Sequence, residues 1–281
     1  MSKNYLSIYA KSFNWAGFFL PKETYANCSK LYDFCRTADN IADEQNSLEF
    51  KKKTFNDFKE AFNKKDQNNS IIKNTWELID KFNISKKIID DLFDGIYSDI
   101  KDKVKLNSKK ELLIYSYRVA GTVGLMMAKI LKVKDKESLR SAIDLGIAMQ
   151  LTNISRDVIE DENNNRSYIN ADLDAIKSTI LFADKFYENS FYAMKKIPLS
   201  LRFSIIVARR IYRKIGLKIA KIKTFEDYKN SGKIYVNNFE KIQETLLSIF
   251  DLIKLAVSSN NTTINHNHEL IEEEIKINER I

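Results

Sequence analysis

The segment ESLRSAIDLGIAMQLTNISRDVIEDE, Glu137 to Glu162, says most about the architecture of this chain. Its first half is apolar nearly all round, the mark of a central helix buried on every side, and a helix is expected over Ser138 to Glu162. A polar stripe runs along it, because Gln150, Asn153 or Ile154, Asp157 and Asp161 succeed one another at three or four residues. Polar groups in an apolar helix are costly unless they find partners, so this stripe should face a site. The loop NNNRSYIN, Asn163 to Asn170, ends the segment.

Upstream, RTADNIADE (Arg36 to Glu44) repeats the device with Asp39 and Asp43. Acids four apart on a helix share a face and repel by about 0.2–0.5 kcal/mol when exposed, more where water is scarce. A single such pair is usually a solvated helix face. Two pairs, each with fixed positive charge nearby (Arg36 before the first, Arg156 and Arg166 around the second), have the composition expected of a cleft where Mg²⁺ bridges carboxylates to a diphosphate and guanidinium groups hold the other phosphate oxygens. Zinc would want His or Cys. The only histidines, His266 and His268, sit near the C-terminus, and Cys28 and Cys35 share one helix at a spacing that closes neither a disulfide nor a zinc site. There is no Walker loop, dinucleotide fingerprint or nucleophile elbow.

The rest of the chain reads as helix. With 7 Gly and 2 Pro in 281 residues, turns between short strands lack their usual residues. A helix capped by Thr24 comes after Pro21, a solvated helix and loop occupy Asn46 to Asn74, and further helices fit Ile71 to Lys81, Lys86 to Lys101 and Lys109 to Leu131. Gly121 and Gly124, inside the last of these, imply close approach of another helix or of a ligand. Helices over Asp172 to Lys195, Leu199 to Ala220 and Val236 to Val257 complete the body. The stripe Phe239, Ile242, Leu246, Ile249, Phe250 and Ile253 on the last helix is expected to pack on the core, a membrane face being the alternative. The body is one domain over residues 1–257, and the polar, acidic tail 258–281 is expected to be frayed.

A hydrophobic content of 44% supplies a large core, and a net charge of +8 suits an anionic partner. The lysine clusters lack the aromatic interleaving of a nucleic-acid platform, so nucleic acid is not expected. No cleavable leader and no apolar run of about 18 residues are present, which predicts a cytoplasmic protein with at most peripheral contact at the inner face of the membrane.

The strings YDFCRTADNIADE (Tyr32 to Glu44), YSYRVAGTVG (Tyr115 to Gly124) and QLTNISRDVIEDENNNRSYI (Gln150 to Ile169) closely resemble the signature segments of the squalene and phytoene synthases. The likeness runs from KSF at Lys11 to Phe13 through ARRIYRKIGLKI at Ala208 to Ile219, and faintly to SGKIYV at Ser231 to Val236. It implies an all-α, single-domain isoprenoid-synthase bundle around a deep central cavity. Carried over by position, Asp39, Asp43, Asp157 and Asp161 would bind Mg²⁺, with Mn²⁺ as a substitute. Arg36, Gln150, Asn153, Arg156 and Arg166 would line the diphosphate site with Ser12 near a phosphate, and Tyr32, Tyr117 and Tyr168 would sit near the reacting carbons. The chain departs from the family pattern at Asn170, where Pro is frequent, and at Lys233, where Arg is common. The implied reaction joins two prenyl diphosphates head to head. RRIYRKIGLKI looks more like bacterial phytoene synthases, which favours two geranylgeranyl diphosphates giving phytoene without NADPH. The alternatives are two farnesyl diphosphates giving presqualene diphosphate, dehydrosqualene or squalene, and an inactive helical scaffold.

Overall fold

With so few breakers, the backbone closes into helices that stop where a cap or a left-handed residue ends them. The computed structural model describes Tyr5, residues 11–258 and residues 267–281. In chain order, α1 is Lys11–Gly17, α2 Lys22–Asp43, α3 Leu48–Asn63, α4 Ser70–Phe82 and α5 Lys86–Ser98. Then come α6 (Lys109–Ser116), a π-helical turn (Tyr117–Gly121), α7 (Thr122–Ile130), α8 (Lys136–Arg156) and α9 (Val158–Asn163). α10 (Leu173–Ala193), α11 (Leu199–Ala220), α12 (Phe225–Asn230), α13 (Asn238–Val257) and a short α14 (Glu272–Ile275) complete it. Among the described residues the only sheet is a two-residue parallel pair, β1 (Val104–Lys105) with β2 (Arg166–Ser167), which ties the loop before α6 to the loop after α9. Ser47, Asn69, Ser108, Asp135 and Asp172 each accept a first-turn amide, the usual device for satisfying orphan N–H groups. Thr24 does not: α2 begins directly behind Pro21, placing Thr24 inside its first turn.

α8 is the central helix, with 13 of its 21 residues buried, and it packs against α10 on one side and α7 on another. The glycines mark where α8 touches α7 and the π turn before it backbone to backbone. A Cβ on Gly124 would lie 2.3 Å from the Ala142 carbonyl oxygen, and one on Gly146 2.3 Å from that of Ala120. Helix packing rather than a ligand therefore explains them. Gly146→Ala is expected to lose about 1–3 kcal/mol in denaturant unfolding by forcing these helices apart; unchanged stability would show that the contact is not tight.

The structure differs from the sequence expectation in four further places. The helix expected over Ser138 to Glu162 breaks at Asp157 (φ −106°, ψ 14°), because the Tyr228 hydroxyl, carried on α12, takes the Ser155 and Arg156 carbonyls at 2.9 and 2.8 Å. The helix expected over Lys109 to Leu131 contains the π turn, whose extra residue rotates α7 relative to α6. The stripe on α13 faces solvent instead of the core, its polar side being held inward by ion pairs to α11. Finally, residues 267–281, expected to fray, pack on the body. Ile271, Ile275 and Ile277 are buried, the Arg280 guanidinium clasps both carboxylate oxygens of Asp91 at 2.9 Å, and His268 Nδ1 lies 2.6 Å from Asp144 on α8, both fully buried. His268 thus reaches the body after all, but as a buried contact away from the cavity lining. His266 lies outside the described residues.

Candidate active site

One face of α8 lines a cavity of about 1010 Å³, with Ser138, Ser141, Ala142, Leu145, Met149 and Asn153 succeeding one another along it. Lining residues from Arg156 to Ser138 span 18 steps, about 27 Å of helix at 1.5 Å each. The deep part is closed by apolar side chains, among them Leu92, Val123, Met127, Leu131, Met194 and Ile205, while the charged residues gather at the α2 and α9 end. Such a division suits a ligand with a long oily tail and a polar head.

The acid pairs form opposing walls of that polar end. Asp39 and Asp43 stand on the last turn of α2, where the Arg36 guanidinium donates to Asp39 at 2.5 Å and lies 3.7 Å from Asp43. Asp157 and Asp161 stand on the other wall and keep helical spacing across the break, since the Asp161 amide donates to the Asp157 carbonyl at 2.8 Å. Arg156 forks onto the Asp157 carboxylate, with Nε at 2.8 Å, and Lys233 lies 3.6 Å from Asp157 and 2.8 Å from Glu160. Arg166 joins the walls: held in β2, it donates to Asp43 at 2.8 Å and to the Ala42 carbonyl at 3.1 Å.

These cations do not neutralise the site. Burial and then the neighbouring Asp43 push the Asp39 carboxyl up to about 7, although 43% of its side chain still meets solvent at the cleft mouth. Burial and then Asp157 push Asp161 up to about 7 as well. Each wall therefore holds a carboxylate short of positive charge. Among the described residues no three Asp, Glu, His or Cys side chains converge to hold a metal by themselves.

Between the walls lies a group that the sequence reading missed. Asp99, at the end of α5, accepts hydrogen bonds from Tyr115 at 2.6 Å and Tyr168 at 2.9 Å, and these rings stack with centroids 4.6 Å apart. All three are buried and line the cavity. Tyr212 lines it too, beside Tyr32, whose hydroxyl is pushed up chiefly by burial.

Of the residues singled out from sequence, Asp39, Asp43, Asp157, Asp161, Arg36, Gln150, Asn153, Arg156, Arg166, Tyr32 and Tyr168 all line this one cavity. Tyr117 and Ser12 do not. Tyr117 is fully buried, turned away so that its hydroxyl donates to Asp91 at 2.7 Å, and Tyr115 holds the cavity position in its place. Ser12 is half-buried on α1, while its neighbour Phe13 reaches the cavity. The Asn153 side-chain oxygen is buried with no protein partner, an acceptor left for something that enters the cleft.

An all-α bundle with two facing carboxylate pairs at the mouth of an oily cavity defines the class of enzymes that act on isoprenoid diphosphates. Within that class, residues 7–175 match the squalene/phytoene synthase family, and the chain belongs to it. It is 27% identical over 251 residues to a 15-cis-phytoene synthase of Pantoea ananas, covering 76% of this chain and 80% of that one. It is 30% identical over 243 residues to a phytoene synthase of Cereibacter sphaeroides, covering 75% and 68%. In structure it resembles a dehydrosqualene synthase crystallised with a ligand, at a TM-score of 0.68 and 24% identity over 89% of this chain and 94% of that one, a likeness of fold.

Proposed function

We propose that this protein condenses two molecules of geranylgeranyl diphosphate head to head to phytoene, through a cyclopropylcarbinyl diphosphate. The observation that carries this reading is a single cavity lined over about 27 Å of α8, charged at its Arg156 end and largely apolar beyond it. A geranylgeranyl tail, with a main chain of about sixteen carbons, extends about 18 Å at roughly 1.2 Å per bond. A farnesyl tail, about four carbons shorter, would leave more of the floor empty. The bacterial relatives named phytoene synthase support the longer substrate.

The residues fit Mg²⁺. All donors are hard oxygens, two of the carboxylates are held short of positive charge, and a pair on each wall with no cluster of three suits an ion that takes one or two carboxylates and completes its shell with water and substrate phosphate. Asp39, Asp43, Asp157 and Asp161 would hold it. When bound, the ion supplies the positive charge that lets diphosphate leave as an anion.

The chain's own groups do the rest. Arg36, Arg156, Arg166 and Lys233 hold the phosphate oxygens, and the Asn153 side-chain oxygen is left to orient a donor on substrate or bound water. As the C–O bond of one donor breaks, the faces of Tyr32, Tyr115, Tyr168 and Tyr212 stabilise the allylic cation. The double bond of the second substrate captures it, and loss of a proton closes the cyclopropane. Ionisation of the second diphosphate, rearrangement and a further proton loss give the hydrocarbon. No reductant enters, so NADPH is not required. The apolar walls exclude the water that would quench either cation.

A thiodiphosphate analogue of geranylgeranyl diphosphate is expected to raise the melting temperature only with Mg²⁺ present, and to do so more than the farnesyl analogue. An inactive scaffold would show no shift with either.

A further inference from the structure

α13 is built inside out. Its acids turn inward to α11: Lys218 lies 3.0 Å from Glu240, Arg210 lies 2.9 Å from both Glu244 and Asp251, and Lys214 lies 3.2 Å from Glu244. Lys241 and Ser248 are buried beside them. The large apolar side chains Phe239, Ile242, Leu246, Phe250, Ile253 and Val257 point the other way, with Phe239 75% and Val257 79% exposed. Their spacing of three or four residues makes one continuous stripe, and no described residue covers it. An exposed apolar patch of this kind marks a surface that something else covers.

Charge and size indicate what does. The one charged residue among the exposed positions of α13 is Lys254. At the end of the helix Lys195 Nζ reaches the Ser258 carbonyl at 2.6 Å, next to exposed Lys196, so the border is cationic. α1 packs alongside, with Trp15 Nε1 donating to Thr245 at 3.0 Å, and is followed directly by Phe18, which is 73% exposed. A stripe of 20 helical residues is about 30 Å long and about 10 Å wide. That is on the order of 300 Å², well below the roughly 800 Å² that each partner buries in a stable dimer. It suits a helix lying in a lipid interface, apolar side down, with cations at the rim for anionic headgroups.

We propose that the outward face of α13, extended by Phe18, docks the protein onto a bilayer containing anionic lipid. Gly17 and Leu20, which flank Phe18 and Phe19, line the cavity. Docking would bring that wall of the cavity next to the acyl layer, where an oily tail can pass between them. The choice of lipid over a protein partner rests in part on the oily substrate assigned above.

The test is flotation of the purified full chain, without substrate, with vesicles of phosphatidylcholine alone or mixed with phosphatidylglycerol. The double variant Phe239→Ser/Phe250→Ser serves as control, and light scattering gives the oligomeric state. The wild type is expected to float with the anionic vesicles, less so as salt rises. The double variant should bind at least tenfold more weakly while keeping its melting temperature and its turnover of detergent-dispersed substrate. Failure of the wild type to float at low salt, equal flotation of the variant, or a wild-type dimer that the variant splits would each overturn the proposal. Because binding is read without turnover, such a failure is distinct from failure of the proposed reaction.

Discussion

Asp39→Asn and Asp161→Asn each lower kcat by on the order of 10³-fold or more, yet leave the metal-free protein at pH 8 at least as stable as the wild type. Both carboxyls are raised to about 7 from an ordinary value of 3.8 by burial and by a neighbouring carboxylate. A carboxyl with a raised folded-state value favours folding when protonated, so its contribution is fully present below the unfolded value and is lost as pH rises through about 7. At pH 8 the wild type therefore carries two strained anions, one of which each Asn variant removes. The same anions are what a metal-bound diphosphate requires, and loss of one electrostatic group at a site of developing charge costs about 10²–10³ in rate even without a metal. Melting curves from pH 5 to 8 with single-turnover rates check both halves. The wild type should lose stability across this range and recover it with Mg²⁺. A variant that unfolds, or that keeps its rate, contradicts the assignment.

Asp99→Leu is expected to lose about 2–5 kcal/mol of stability and on the order of 10² in kcat, whereas Asp99→Asn keeps most of the stability. Asp99 accepts from the Tyr115 and Tyr168 hydroxyls, and all three are buried. Leucine leaves the Tyr168 phenol without its acceptor and Tyr115 with only the Tyr168 oxygen, 3.0 Å away, at about 1–3 kcal/mol for each bond lost, and frees the stacked rings from their setting at the cavity wall. Asparagine retains one oxygen acceptor for one of the phenols. Urea unfolding of both variants, with product analysis under saturating substrate, separates the two effects. Full activity in Asp99→Leu would show that the rings need no anchor.

The acid pairs are legible in the sequence because a spacing of four fixes geometry within a single helix, whatever the rest of the chain does. Arg166 is another matter: it meets Asp43 across 123 positions of sequence, and only the parallel β1 and β2 pair brings it there. Tyr115 and Tyr117 stand two apart, on opposite sides of a helix, so only one of them can face the cavity, and the string YSYR does not say which. Asp99 sits at the end of α5 in a run of charges, DIKDK, that gives no sign of burial. For α13 the periodicity shows an amphipathic helix but not which side faces inward. The signal lies on its neighbour, where Arg210, Lys214 and Lys218 repeat every four residues and meet Glu244, Asp251 and Glu240. In the tail, Ile271, Ile275 and Ile277 are hidden among acids, and Asp144, the contact of His268, lies in a helix 124 positions away.

Head-to-head condensation is tested without intermediaries by incubating the purified protein with Mg²⁺ and either geranylgeranyl or farnesyl diphosphate, with and without NADPH, and identifying the extracted hydrocarbon by mass. The expected product is the C40 hydrocarbon phytoene, from geranylgeranyl diphosphate and without NADPH. A C30 product from farnesyl diphosphate alone, or no hydrocarbon from either substrate, would contradict the proposed reaction.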